Sequence, residues 1–197
     1  MSINLSKGSK INLSKDGGTT PLKRVRLGLG WSPQTKPGEG DFDLDSNIFA
    51  LDANGKLPAD EFFVFYNNKV SPDAAIIHMG DNRTGADAGT DAERIKLDLT
   101  SVDPKVKKLS LVITIDEAKA RHQNFGRVKD SYVSLTDEET GKEFARYILE
   151  DEAPDAISVH FGELERHDDG GWSFTAVGQG YDKDLADYVR LYGGDLS

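Results

Sequence analysis

The chain has no cysteine, which excludes disulfides, thiolate metal ligands, cysteine-held iron–sulfur clusters and thiol nucleophiles. Long apolar runs are missing too. The first thirty residues hold no apolar stretch of even six, so neither a secretory core nor a membrane span is expected there. Bases are outnumbered by acids, 24 to 34, for a formal charge of −10. That balance disfavours nucleic-acid phosphates or an anionic membrane surface as direct partners and favours cations. Catalytic signatures are absent as well. His78, His122, His160 and His167 lack the H-E-x-x-H spacing and read as surface or core histidines. Gly28-Leu29-Gly30 and Gly178-Gln179-Gly180 lack the third glycine of a dinucleotide fingerprint, and no G-x-S-x-G elbow occurs.

What is present describes a soluble globular chain. It has 197 residues, 37% hydrophobic and 29% charged, too apolar for disorder and too polar for a membrane protein. No Ser-rich or Pro-rich linker divides it, although 34–40 is a clear loop, so one domain over 1–197 is expected. The absence of cysteine fits a cytoplasmic location.

Short segments of β-branched and apolar residues recur throughout: Arg24 to Gly30, Phe42 to Leu51, Glu61 to Tyr66, Ala75 to His78, Arg94 to Leu99, and Lys108 to Ile115. They continue with Ser131 to Leu135, Phe144 to Leu149, Ile157 to Leu164 and Trp172 to Val177, separated by turns such as Asn54-Gly55 and Asp169-Gly170-Gly171. Many short strands with few helical patterns predict an all-β protein, mainly a β-sandwich, with a few short helices. Helical spacing occurs only over Asp116 to His122, where Asp116 is placed to cap, and over Asp182 to Leu191. The opening repeats Ile-Asn-Leu-Ser-Lys at 3–7 and 11–15 around Gly8-Ser9-Lys10, the signature of a β-hairpin.

The acids cluster in two runs. Asp41, Asp43 and Asp45 alternate with Phe42 and Leu44, so at strand period the three carboxylates share one face. Close like charges repel by an amount on the order of several kcal/mol at an effective dielectric near 20, so a compensating charge is expected. From Asp81 to Glu93 no apolar residue exceeds alanine, and five side chains end in carboxylate or amide oxygen. Hard oxygens in a glycine-rich loop suit calcium, which takes six to eight of them, whereas magnesium keeps its waters. The same composition describes an ordinary solvated loop, and the residues alone leave both readings open. Neither run is an EF-hand, because Ser46 stands where its glycine is required and Arg83 where its third ligand is required.

The motifs Gly30-Trp31, Asp41-Phe42-Asp43-Leu44-Asp45, Phe65-Tyr66-Asn67-Asn68, Gly80-Asp81-Asn82-Arg83-Thr84-Gly85, Phe161-Gly162-Glu163-Leu164 and Trp172 to Gly180 closely resemble the bacterial tellurite-resistance TerD family across nearly the whole chain. The resemblance implies a cytoplasmic calcium-binding β-sandwich involved in tellurite resistance and stress response, with no established enzymatic activity. Carried over residue by residue, it implies ligands at Asp43, Asp45, Asp81, Asn82, Asp87, Asp91 and Glu93, with backbone carbonyls around Gly85 and Gly89. Two Ca²⁺ ions are implied. The family's loop ends in G-D-D-E, whereas Gly89-Thr90-Asp91-Ala92-Glu93 has lost one acid, which bears on the second ion.

Two functions follow from this. The first is an ion-ordered interaction module working with related TerD-type paralogues and a membrane component of the same system, without nucleic acid or direct membrane insertion. The alternative is a metal-dependent hydrolase or direct oxyanion detoxifier using the same acidic loops. An acidic surface without thiols counts against reduction of an oxyanion.

Overall fold

The computed structural model describes residues 3–4, 10–12, 22–33, 40–85 and 91–195. In chain order the strands are β1 (Ile3–Asn4), β2 (Lys10–Asn12), β3 (Arg24–Gly30), β4 (Leu44–Leu51), β5 (Phe63–Val64), β6 (Ile76–His78), β7 (Glu93–Asp98), β8 (Lys108–Ile115), β9 (Tyr132–Asp137), β10 (Glu143–Ile148), β11 (Ser158–Arg166) and β12 (Trp172–Tyr181). They form two six-stranded sheets, ordered β1-β10-β9-β3-β7-β6 and β2-β12-β11-β8-β4-β5. Every pairing between named strands is antiparallel except that of β1 with β10. This is the all-β fold that the alternating segments predict.

The inner faces meet in one apolar core. Val25, Leu27 and Leu29 of β3, Ile95 and Leu97 of β7, and Val133 and Leu135 of β9 face Leu44, Ile48 and Ala50 of β4, Leu111 and Ile113 of β8, and Phe161 and Phe174. On the outside of the second sheet, Phe49 and Leu51 of β4 pack with Phe63, Val112, Tyr188 and Val189. β4 is therefore buried on both faces along its length, and its sequence reads as a mixture instead of a clean alternation.

Three short helices accompany the sheets: α1 (Ala118–Arg121), α2 (Leu149–Glu152) and α3 (Leu185–Leu191). α3 matches the helical spacing near the C-terminus, and Asp184 and Asp187 cap it reciprocally. α1 lies inside the expected 116–122 segment, but Asp116 does not cap it. Glu117 occupies the N-cap in a left-handed conformation, without a side-chain cap bond, so Asp116 is left for another use. Leu149, expected as the end of a strand, begins α2 instead.

Among the described residues, the two copies of the terminal repeat do not pair with each other as a hairpin. Ile3 and Asn4 pair with Ala145 and Arg146 of the first sheet, while Lys10, Ile11 and Asn12 pair with Thr175, Phe174 and Ser173 of the second. β1 and β2 each end a sheet, and without them β10 and β12 would each present a row of unpaired backbone groups. Paired with each other, the two copies would leave both edges bare; placed separately, the same short pattern closes each one.

Removal of residues 1–12 should therefore lower the thermal midpoint and cause concentration-dependent association. Scanning calorimetry and size-exclusion chromatography check both. An unchanged midpoint with a monomeric profile would show that the edge pairing carries no stability.

Candidate metal centre

At the start of β4 the chain places Asp43 and Asp45 beside Asp81, which follows β6. One carboxylate oxygen from each lies within 4.8 Å of the others. Asp43 and Asp45 are only 6% and 5% exposed, although Asp81 is open to solvent and Asp41 is exposed. Phe42 and Leu44, on either side of Asp43, are sunk in the core and fix where it points. The Trp31 indole N–H donates to the Phe42 carbonyl at 3.0 Å, and the Asp116 N–H donates to the Asp43 carbonyl at 2.8 Å. A cavity of about 230 Å³ opens over the three acids, lined also by Tyr66, Arg83 and Asp116.

Electrostatics there are unfavourable to the acids as they stand. Burial, reinforced by Glu93, Asp43, Asp116 and Asp81, pushes the Asp45 carboxyl up to about 8. Burial also raises Asp43, partly offset by Arg83, whose Nε donates to Asp43 Oδ2 at 3.1 Å. Tyr66 is raised by burial and then by the same acids. Asp43 Oδ1 is buried and accepts no hydrogen bond. An orphaned carboxylate oxygen on a member of a cluster of hard oxygen donors is what a bound divalent cation would satisfy.

The other implied ligands are distributed differently. The Asn82 side-chain oxygen accepts from the N–H groups of Thr84 and Gly85 at 3.2 and 3.0 Å, forming a turn within its own loop. Gly85 adopts φ +67°, and a Cβ there would fall 2.6 Å from the Trp31 ring, so its glycine serves the loop's path against Trp31. Asp91 is not with the three acids. It accepts from the Tyr132 hydroxyl at 3.2 Å and lies 3.6 Å from Arg26 Nε, above Gly28, whose missing side chain leaves it room. Glu93 is fully buried and accepts from the Ser46 N–H at 2.8 Å and the Ser46 hydroxyl at 2.7 Å. Asp87 and Gly89 lie outside the described residues.

Asp116 and Tyr66 were not among the sequence-based candidates. β8 pairs with β4 so that Ile115 lies opposite Leu44, which carries the next residue, Asp116, to the cavity. That adjacency depends on strand pairing across some seventy residues, and the local pattern around Asp116 suggests only a helix cap.

The raised Asp45 sets a sign for pH dependence. The native state keeps a proton that the unfolded chain has already lost, so in chelator stability falls as pH rises from about 4 towards about 8. Asp45→Asn should remove much of that slope and raise stability at pH 8 in chelator by on the order of 1–3 kcal/mol. Denaturant titrations of both proteins at pH 5 and pH 8 check this. Equal slopes would show that Asp45 does not carry the strain.

Residues 1–192 match the family model described as the TerD domain. The chain is 44% identical over 197 residues to the tellurium resistance protein TerD of Serratia marcescens, covering 100% of both chains. It is 43% identical over 194 residues to general stress protein 16U of Bacillus subtilis, covering 98% of each. The fold is shared with a solved homologue of telluride resistance protein (TerD) from Streptomyces coelicolor, with a TM-score of 0.73 at 22% identity, covering 88% of this chain and 99% of that one. These relatives are named for resistance or stress and not for a reaction. The chain belongs to the TerD family.

Proposed function

We propose that this chain is a non-catalytic, calcium-binding module of a tellurite-resistance and stress response, in which the ion orders two acidic segments for contact with a partner. The observation that carries this reading is the convergence of Asp43, Asp45 and Asp81, together with the buried, unpartnered Asp43 Oδ1. The donor set is entirely oxygen, which fits calcium or another hard cation and not the nitrogen and sulfur preferences of zinc or copper. Asp43, Asp45 and Asp81 would hold the ion. When bound it supplies positive charge that offsets their repulsion and links β4 to the segment after β6.

The described residues assemble one such group of acids, so one ion at this centre is carried forward. The relatives' names refer to resistance and stress and not to a reaction, which supports a binding role over the hydrolase alternative. Family membership supports tellurite resistance and stress response as the setting. Related paralogues and a membrane component of the same system are its proposed partners. None of the helices described is long and apolar enough to cross a membrane; a cytoplasmic location is part of this proposal.

Calcium should raise the thermal midpoint strongly and magnesium much less, since a ligand held only by the native state stabilises it by about 2.7 kcal/mol at a hundredfold excess over Kd. Asp43→Ala should abolish the calcium shift, while Asp41→Ala should leave most of it. Calorimetric titration gives stoichiometry and affinity together. Equal shifts with both cations would indicate charge screening and overturn the site.

Arg83 adds a second expectation. Its side chain is 70% exposed and pairs with Asp43, so it competes with an arriving cation for the same carboxylate. Arg83→Gln should tighten calcium binding roughly two- to fivefold, the scale of an exposed ion pair. Weaker binding in that variant, measured by the same titration, would mean that Arg83 supports the site instead of competing for it.

A further inference from the structure

Glu93 presents a problem that the cation site does not by itself resolve. It lies on the inner face of β7 in the first sheet, 1% exposed, and a lone carboxylate in such a place is costly. Its hydrogen bonds show what offsets that cost. Oε2 accepts from the backbone N–H and the hydroxyl of Ser46 at 2.8 and 2.7 Å, and Oε1 accepts from the backbone N–H of Asn82 at 3.4 Å. His78 Nε2 lies 3.5 Å from Oε2 and 3.4 Å from the Ser46 hydroxyl. The Gly80 N–H donates to His78 Nδ1 at 3.3 Å, which leaves Nε2 to carry the ring hydrogen towards this group.

The identity of the two backbone donors carries the inference. Ser46 follows Asp45 directly, and Asn82 follows Asp81 directly. These pairs belong to different elements: the first to β4 in the second sheet, the other to the segment after β6 in the first. One carboxylate thus holds by the backbone the two positions next to two of the three cation-facing acids. Alternation along β4 puts Ser46 on the inner face with Leu44 and Ile48, and Asp45 on the opposite face. Glu93 accordingly grips the strand from behind the cavity.

We infer that Glu93 is a positioning residue for the cation site, fixing the separation of Asp45 and Asp81 from inside the sandwich, and not a ligand. This rests on the calcium reading of the Asp43, Asp45 and Asp81 cluster. Glu93 already accepts from Ser46 and Asn82, and turning it onto an ion would free the buried Ser46 N–H at one end and the part-buried Asn82 N–H at the other. Ligand separation governs cation affinity, and loss of groups that orient ligands typically weakens metal binding 10- to 100-fold. The inference also assigns Ser46 and His78 a place: they complete the hydrogen bonding of the buried carboxylate.

Glu93→Gln tests this in the full-length chain, because the amide keeps the shape but can accept on one side only. Calcium calorimetry should return the wild-type stoichiometry with affinity lowered roughly 10- to 100-fold, whereas Asp45→Asn should remove binding. Leu97→Ala, four residues further along the same inner face, provides the control for stability alone: it should lower the thermal midpoint and leave the calcium Kd unchanged. Ser46→Ala removes only the hydroxyl contact, and should weaken calcium binding by a smaller factor even if Glu93→Gln fails to fold.

A lost equivalent of calcium in Glu93→Gln would make Glu93 a ligand and overturn the inference. So would unchanged affinity in Glu93→Gln or in Ser46→Ala, or an equal loss of affinity in Leu97→Ala. If the unmodified chain binds no calcium, the proposed function itself fails, and the inference with it; binding by the unmodified chain with any of the preceding results sinks the inference alone.

Discussion

Carboxylates held together away from water are the constraint on which this structure turns. Two buried aspartates share 4.8 Å with a third, and at such separations like charges repel by several kcal/mol before relief. Each neighbouring feature answers that repulsion. Arg83 swings onto Asp43 as an internal counter-ion, Asp45 holds its proton far above the ordinary carboxylate range, and Asp43 keeps one oxygen unsatisfied. On the proposed function, an external positive charge would complete the neutralisation that Arg83 and the Asp45 proton begin.

Such a cluster persists because the strand bearing it is anchored elsewhere. β4 pairs with β8 from Leu44 to Leu51, sinks Leu44 and Ile48 into the inter-sheet core, and buries Phe49 and Leu51 on the other side under α3. Each such side chain contributes about 1.5–3 kcal/mol on burial, so four of them outweigh the strain of the acids at the strand's end. Glu93 adds a polar connection through the core, joining sheet to sheet where hydrophobic contact alone would permit sliding.

Much of the architecture was legible along the chain. Arg24–Gly30 and Lys108–Ile115 are strands with the bounds their patterns imply, and the helical spacing over Asp182 to Leu191 contains α3. The burial of Phe42 and Leu44, with Asp43 and Asp45 placed together, follows from period-two alternation. Misreadings occurred where a local signal had two outlets. The twin Ile-Asn-Leu-Ser-Lys segments carry strand pattern but no statement of partner, and β10 and β12 claim one each. Likewise Asp116 has the side chain of a helix cap, yet strand pairing delivers it to the cavity.

The sequence by itself determined the all-β class, the strand segments, the acidic excess, and the Asp43 and Asp45 pair, because these depend on composition and on repeats only a few residues long. Tertiary structure alone decided which acids meet. Asp91 and Glu93 are two residues apart on one segment, yet the first rests over Gly28 against Tyr132 and Arg26, while the second faces inward to Ser46 and Asn82. No local pattern distinguishes those fates. What separates them is the surroundings that long-range strand pairing builds: a bare glycine with basic and phenolic partners around one carboxylate, and the Ser46 and Asn82 N–H groups donating to the other.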